Sequence, residues 1–290
     1  MKDTKIEKYK VYLVSWLREW FEDNGKDCNA VVGISGGKDS TVVAALCVEA
    51  LGKDRVIGVL MPNGEQNDIT DSYAVCRHLG IKYIEVNMQM AYSNIIMQMQ
   101  SQGVKASEQT KINLGPRLRM STLYAVSQSV NGRVIGTSNL DEYLLGFCTR
   151  WGDSVADVEP IINTHVSEVI ELGLALGLPE YLVKKIPSDG LDSLPDEEKF
   201  GFTYKEFEEF YDKTHGNLYP PHLYELNGKQ EKMVSMFLKS EFKRKEIPHP
   251  SYYPCFYEEM DALSCSTCTN SKGCITCTDG DQYTGGEQDV

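Results

Sequence analysis

Residues 31–40 read VVGISGGKDS, a β-branched run that drives into two glycines, a lysine, an aspartate and a serine. Gly36 and Gly37 let a backbone approach a ligand closely, and Ser35 and Ser40 supply hydroxyls. A helix starting just after them would aim its amino end at an anion. These are the parts of a phosphate cradle. A Walker A loop, however, needs G-x-x-x-x-G-K-[S/T], and here Gly33 stands one residue too close to the Gly37-Lys38 pair while Asp39 follows the lysine. The dinucleotide pattern G-x-G-x-x-G fails as well, because the glycines are Gly33, Gly36 and Gly37. Asp39 would repel a phosphate unless a cation lay between them, so the loop implies bound Mg²⁺. Taken alone, the loop also leaves open an ordinary strand-to-helix turn.

A second group of reactive residues lies at the far end of the chain. CSTCTNSKGCITCT places Cys265, Cys268, Cys274 and Cys277 in two C-x-x-C pairs, the spacing that structural zinc favours. The separation between the pairs is shorter than in the usual zinc ribbon. Redox-active thiols, an iron–sulfur cluster and an unliganded tail of near-repeated composition are the alternatives. Cys28, Cys47, Cys76 and Cys148 are scattered through the body of the chain, where a reduced, buried thiol is the expected state.

The elements that must position these groups follow from periodicity. Residues 5–24 carry apolar positions at helical spacing, and Asn24-Gly25 ends that helix. Strands are expected at 30–34, 55–62, 82–88 and 132–138, with helices at 41–52, 68–80, 89–102 and 116–130. This alternation means βαβ crossovers and an α/β fold with a parallel sheet covered on both faces. Ligands in such sheets bind beyond the carboxyl ends of the strands at the switch point, where SGGKDS and GTSN would both lie. Further helices are expected at 166–177, 203–213 and 229–245. Residues 187–201 form a polar, Pro/Gly-punctuated loop long enough to act as a lid. From Pro248 onward the composition marks a cysteine-rich extension, giving domains at 1–247 and 248–290.

Composition narrows the partners. A formal net charge of −13 argues against binding a nucleic acid backbone, which calls for a basic stripe. No stretch reaches the roughly 18 apolar residues of a membrane span, and the charged start lacks a secretory h-region. A cytoplasmic protein is expected, with no membrane and no nucleic acid partner.

S-G-G-x-D-S after a buried strand resembles the pyrophosphate-binding signature of the ATP pyrophosphatase superfamily. The runs NLGPRLRMSTLYAVSQ (113–128) and VIGTSNLDEYLLGFCTRWGDSVADVEP (134–160) resemble the NAD synthetase family more narrowly. MPNGEQND (61–68), PSDGL (187–191) and DEEKFGFTY (196–204) extend that resemblance, in order, over roughly residues 5–246. It implies a Rossmann-like, adenine nucleotide alpha hydrolase-like sheet. It also implies amidation of deamido-NAD to NAD through an adenylated carboxylate, with ATP as co-substrate and AMP and pyrophosphate as products.

Carried over by position, the resemblance assigns ATP contacts to Gly33, Ile34, Ser35, Gly36, Gly37, Lys38, Asp39, Ser40, Gln66, Thr137 and Ser188. It makes Asp39 and Glu142 the Mg²⁺ ligands, and gives Arg117, Arg150, Asp157 and Lys243 to the dinucleotide. Asp153 becomes the carboxylate that binds or deprotonates ammonium. No nitrilase-like glutaminase module is present, so ammonia is the expected donor, from solution or from a separate glutaminase. A homodimer is implied, with the amino-terminal helix and residues 116–130 as interface elements. Two positions depart from the family pattern: Val166 stands where a phosphate-binding lysine is common, and Phe242 precedes Lys243 where histidine is expected. Rival readings are another ATP pyrophosphatase, such as a tRNA thiolase, and a nucleotide-binding regulatory protein without turnover.

Overall fold

The computed structural model describes residues 5–66, 69–184, 196–219 and 225–247. The chain divides into two units, 1–244 and 245–290, and the sheet with its covering helices belongs to the first. Ser188 and the four tail cysteines lie outside the described residues.

Four parallel strands, β1 (Asn29–Gly33), β2 (Val56–Leu60), β3 (Lys82–Glu85) and β4 (Gly132–Ile135), pair in the order β3-β2-β1-β4. The register sets Val31 beside Ile57 on one side and Val134 on the other. Helix α2 (Lys38–Leu51) joins β1 to β2, and α3 (Ile69–Leu79) joins β2 to β3. The chain then crosses back through α4 (Gln89–Ser101) and α5 (Glu108–Ser129) to lay β4 on the free side of β1. The direction of winding therefore reverses between β1 and β4, which opens a crevice at their carboxyl ends.

Burial explains the layering. The inner strands are apolar, with Ala30, Val31, Val32, Val56, Val59 and Leu60 fully buried. Helix α1 (Lys5–Gly25) drives Leu13, Val14, Leu17 and Phe21 into the same core as α2, which is apolar on nearly every side because it lies between the sheet and α1. Helices α7 (Val166–Ala175) and α8 (Glu180–Val183) close that core.

A second apolar cluster gathers Phe200, Phe202, Tyr204, Phe207, Phe210, Met233 and Phe237. These residues come from α9 (Asp196–Phe200), α10 (Tyr204–Lys213), α11 (Gly228–Lys239) and the connection between the first two. Leu145 of α6 (Leu140–Leu145) and Val166 tie the cluster to the mouth of the crevice.

Three sequence expectations are corrected. Residues 196–200 are helical: Asp196, Glu197 and Glu198 suit a helix amino end, and Phe200 is buried against Phe147 and Phe202. Helix α5 starts at Glu108 and continues through Pro116, because the Ser107 hydroxyl caps it by accepting from the Thr110 N–H at 3.1 Å. The expected helix over 229–245 breaks at Ser240 into α11 and α12 (Glu241–Arg244), where the Ser240 hydroxyl donates to the Phe237 carbonyl. No described helix is long and apolar enough to cross a membrane.

Candidate active site

A cavity of about 460 Å³ occupies the crevice beyond β1 and β4. The 34–37 loop and the first turn of α2 form one wall. Gly36 has φ +78° and a Cβ there would lie 2.9 Å from the Ser72 nitrogen, so only glycine lets the loop pass so close to α3. Ser35 and Ser40 hydroxyls bond each other at 3.0 Å, and the Ser35 hydroxyl accepts from the Gly37 N–H at 3.2 Å. No side chain caps α2 at Gly37, so the amino end of the helix is left for a ligand facing the cavity.

An adjoining wall is built by α6, and Asn139, which is fully buried, sets its position. Its side-chain oxygen accepts from the Glu142 N–H at 3.0 Å, while the Glu142 carboxylate accepts from the Asn139 N–H. This reciprocal capping box fixes the start of α6. The Asn139 amide also donates to Asp39 Oδ1 at 3.1 Å, so one side chain orients both expected metal ligands.

Charges converge here. Burial raises the Glu142 pKa well above the usual carboxylate range, and the nearby negative charge of Asp39 adds to the effect, against Lys38 and the Asn139 N–H. Glu142 keeps some surface open to the cavity, and it is enclosure by protein elsewhere that disfavours its charge. Lys38 is only 3% exposed, and its ammonium donates to Asp39 Oδ2 at 2.8 Å. Burial opposes its charge, but Asp39, Glu142 and Asp196 outweigh that and raise its pKa. Two enclosed carboxylates facing one cavity are the hard oxygen donors that a Mg²⁺ ion takes.

Also lining the cavity, Asp153 accepts from the Thr149 N–H at 2.8 Å. Its residue surface is open toward the cavity, yet the protein packed around it raises its pKa by desolvation, with backbone bonds, Lys243 and Arg119 pulling the other way. Lys243 donates to the carbonyls of Gly146 and Cys148, both at 2.7 Å. The Cys148 thiol is pushed up to about 11 by burial and by Asp153, so it stays protonated and is a poor nucleophile at neutral pH.

The structure thus brings Gly33, Ile34, Ser35, Gly37, Lys38, Asp39 and Ser40 to one cavity, together with Gln66, Thr137, Glu142, Asp153 and Lys243. Gly36 supports the loop from behind. Arg117, Arg150 and Asp157 do not line the cavity. Arg117 is exposed and donates to the Arg150 carbonyl at 3.4 Å. The Arg150 guanidinium packs on the rings of Trp151 and Phe242, 4.8 and 5.5 Å from their centroids. Asp157 accepts from the Val134 N–H at 2.8 Å and the Tyr124 hydroxyl at 3.1 Å, which binds it to the outer edge of β4.

Of the two departures, Phe242 supplies a face for Arg150, and Val166 is buried with its N–H held by Asp141 Oδ2 at 2.7 Å. The other Asp141 oxygen bonds His165 Nδ1 at 2.6 Å. Burial lowers the His165 pKa, but the Asp141 hydrogen bond and the charges of Asp141, Glu208 and Glu168 outweigh it and raise it overall.

The chain has known counterparts. The profile of the NAD synthase family matches residues 9–247. The chain belongs to the NAD synthase family.

Relatives in that family include the NH(3)-dependent NAD(+) synthetase of Pyrococcus furiosus, 38% identical over 210 residues, 72% of this chain and 79% of that one. The enzyme of the same name from Thermococcus sibiricus is 36% identical over 84% of this chain and 97% of its own. Among solved structures, an NMN synthetase from Francisella tularensis is 32% identical, with a TM-score of 0.75 over 86% of this chain and all of that one. An NH3-dependent NAD synthetase from Campylobacter jejuni is 27% identical, with a TM-score of 0.67 over 85% of this chain. As a member of the NAD synthase family, the chain is a ligase that forms a C–N bond.

Sequence reasoning gave no separate role to Asn139, Arg119 or Asp196, each of which lines the cavity or orients a residue that does. The N-x-x-E spacing of Asn139 and Glu142 was a legible capping signal. Arg119 donates to the Met61 carbonyl and faces Asp153, a pairing that only the folded chain creates.

Proposed function

We propose that the chain uses ATP and ammonia to amidate deamido-NAD, forming NAD with release of AMP and pyrophosphate. The observation that carries this reading is the convergence on one cavity of the α2 amino end, which carries Asp39, with Glu142 of α6 and with Asp153. The α2 amides and the Ser35 and Ser40 hydroxyls would hold the pyrophosphate portion of ATP. Thr137, Gln66 and Ile34 line the same space, and Ser188 is proposed as a further ATP contact. Asp39 and Glu142 would hold Mg²⁺, which when bound offsets charge on the phosphates.

Asp153 suits the nitrogen donor. Its raised pKa makes it a better base for ammonium than an ordinary aspartate, with backbone hydrogen bonds, Lys243 and Arg119 opposing that rise. Lys243 would meet the dinucleotide from inside the cavity, with Arg117, Arg150 and Asp157 contributing from outside it. Their position outside the cavity accords with a substrate site completed by a second copy of the chain. Supporting such a homodimer, every residue of β3 is exposed, no residue of α4 is buried, and Met90, Met97, Val104 and Ile112 stand open around them. That exposed apolar surface would extend the interface expected at 116–130 toward α4 and β3, and α1 exposes Val11 and Tyr12 beside its buried stripe. A cytoplasmic location fits the absence of a membrane-spanning helix among the described residues.

The test is to incubate the protein with ATP, Mg²⁺, deamido-NAD and ammonium and to measure NAD, AMP and pyrophosphate. A folded protein that makes none of them overturns the reading. Because one similar structure is an NMN synthetase, nicotinate mononucleotide is the second substrate to offer. Faster amidation of the mononucleotide would replace the dinucleotide in this proposal and leave the chemistry unchanged.

A further inference from the structure

A lysine that serves a phosphate loop in the Walker manner extends outward to the terminal phosphates. Lys38 does the reverse. Its side chain is buried, and its ammonium donates to Asp39 Oδ2 at 2.8 Å. The ammonium stands 6.0 Å from the centroid of the Tyr204 ring, and Glu142 and Asp196 are the other charges that act on it. The remaining Asp39 oxygen is occupied by the Asn139 amide at 3.1 Å. Both oxygens of one proposed metal ligand are therefore engaged by the chain itself, and one of them is engaged by a full positive charge. A divalent ion reaching Asp39 must share or displace that ammonium.

We propose that Lys38 is a resident counter-cation of the Asp39–Glu142 pair, making the free site a poor binder of bare divalent metal and a good binder of metal delivered with ATP. The inference rests on the metal role of Asp39 and Glu142 proposed above. Like charges close together in an enclosed site repel strongly, so a fixed ammonium beside Asp39 lowers the attraction of the pair for a second cation. The ATP phosphates reverse the balance by bringing their own negative charge and their own oxygen ligands. Until then the ammonium keeps two enclosed carboxylates from facing each other uncompensated.

The test reads metal binding directly and needs no turnover. Mn²⁺ as the probe is titrated into the substrate-free, full-length protein, and free Mn²⁺ is followed by electron paramagnetic resonance for wild type, Lys38→Gln and Lys38→Arg. Glutamine keeps a donor for Asp39 without charge; arginine keeps the charge. Lys38→Gln should bind Mn²⁺ on the order of tenfold more tightly than wild type, with Lys38→Arg within threefold of wild type. A change below threefold in Lys38→Gln, or equal tightening in both variants, overturns the proposal. Should Lys38→Gln be unfolded without metal, circular dichroism decides: refolding by millimolar Mn²⁺ supports the proposal, because the metal then takes the place of the ammonium, and failure to refold defeats it. Formation of NAD by the wild type is a separate measurement, so failure of the amidation reading and failure of the counter-cation remain distinguishable.

Discussion

The Asn139 side-chain amide donates to Asp39 Oδ1 at 3.1 Å and, through its oxygen, caps the helix that carries Glu142. Two carboxylates 103 residues apart in the chain are thereby aimed by one buried amide. Asn139→Ala should lose both functions and destabilise the protein by about 1–3 kcal/mol, from a lost cap and an unpaired buried group. Asn139→Asp keeps the cap but sets a carboxylate against Asp39. It should therefore lower amidation more than its stability loss explains. Urea denaturation beside NAD formation for both variants checks this, and wild-type activity in Asn139→Asp would show that Asp39 needs no such guidance.

Glu142→Gln separates charge from shape. The isostere removes an enclosed carboxylate next to Asp39 whose ionisation the fold already disfavours. Stability should hold or rise, as measured by thermal melting without nucleotide. Amidation should fall by about a hundredfold or more, the scale of losing one electrostatic stabiliser of a developing charge. Parallel loss of folding and activity would instead make Glu142 a structural residue.

The alternation of strands and helices was legible because buried parallel strands write themselves as short β-branched runs such as AVVGI and RVIGVL. The phosphate-loop wall was legible too, since glycine spacing and hydroxyl placement are local. What escaped was set by tertiary context. Helix α9 was hidden in a polar stretch because its stability comes from Phe200 packing on Phe147 and Phe202, residues that periodicity within five positions cannot reveal. Helix α5 was cut short at Gly115-Pro116, although both residues are buried there and a Cβ on Gly152 would lie 3.0 Å from Pro116. The pairing of Lys38 with Asp39 was also unreadable, because the motif shows a lysine in a phosphate loop and only burial turns its ammonium inward.

Gly146 joins the two halves of the site. It ends α6 with φ +68°, and a Cβ there would sit 2.0 Å from Ser240 Cβ at the α11–α12 junction. Its carbonyl also accepts from Lys243. Gly146→Ala should cost on the order of 2 kcal/mol or more, combining left-handed strain with a clash that the Ser240 backbone cannot easily relieve. The junction would shift, moving Lys243, so the KM for the dinucleotide should rise more than that for ATP. Unfolding curves and separate KM values for the two substrates check the pair of expectations.

Glu159 gives the pH dependence a defined sign. Its carboxylate lies against the backbone of Gly136, where a Cβ would come within 2.0 Å of it, and its Oε2 has no hydrogen-bond partner among the described residues. Burial, reinforced by the charge of Asp153 and opposed by the Ser138 N–H, raises its pKa to about 8. In the unfolded chain a glutamate ionises near 4.3. Below that pH both states are protonated and Glu159 costs nothing; as pH rises toward 8 the unfolded state loses the proton first, and stability falls until the folded group ionises as well. The full penalty is on the order of 5 kcal/mol. Glu159→Gln should therefore match wild type near pH 4.5 and become progressively more stable than wild type up to about pH 8, with little further gain beyond. Melting temperatures of both proteins across that range measure it, and a constant difference at every pH would mean that Glu159 ionises normally in the folded chain.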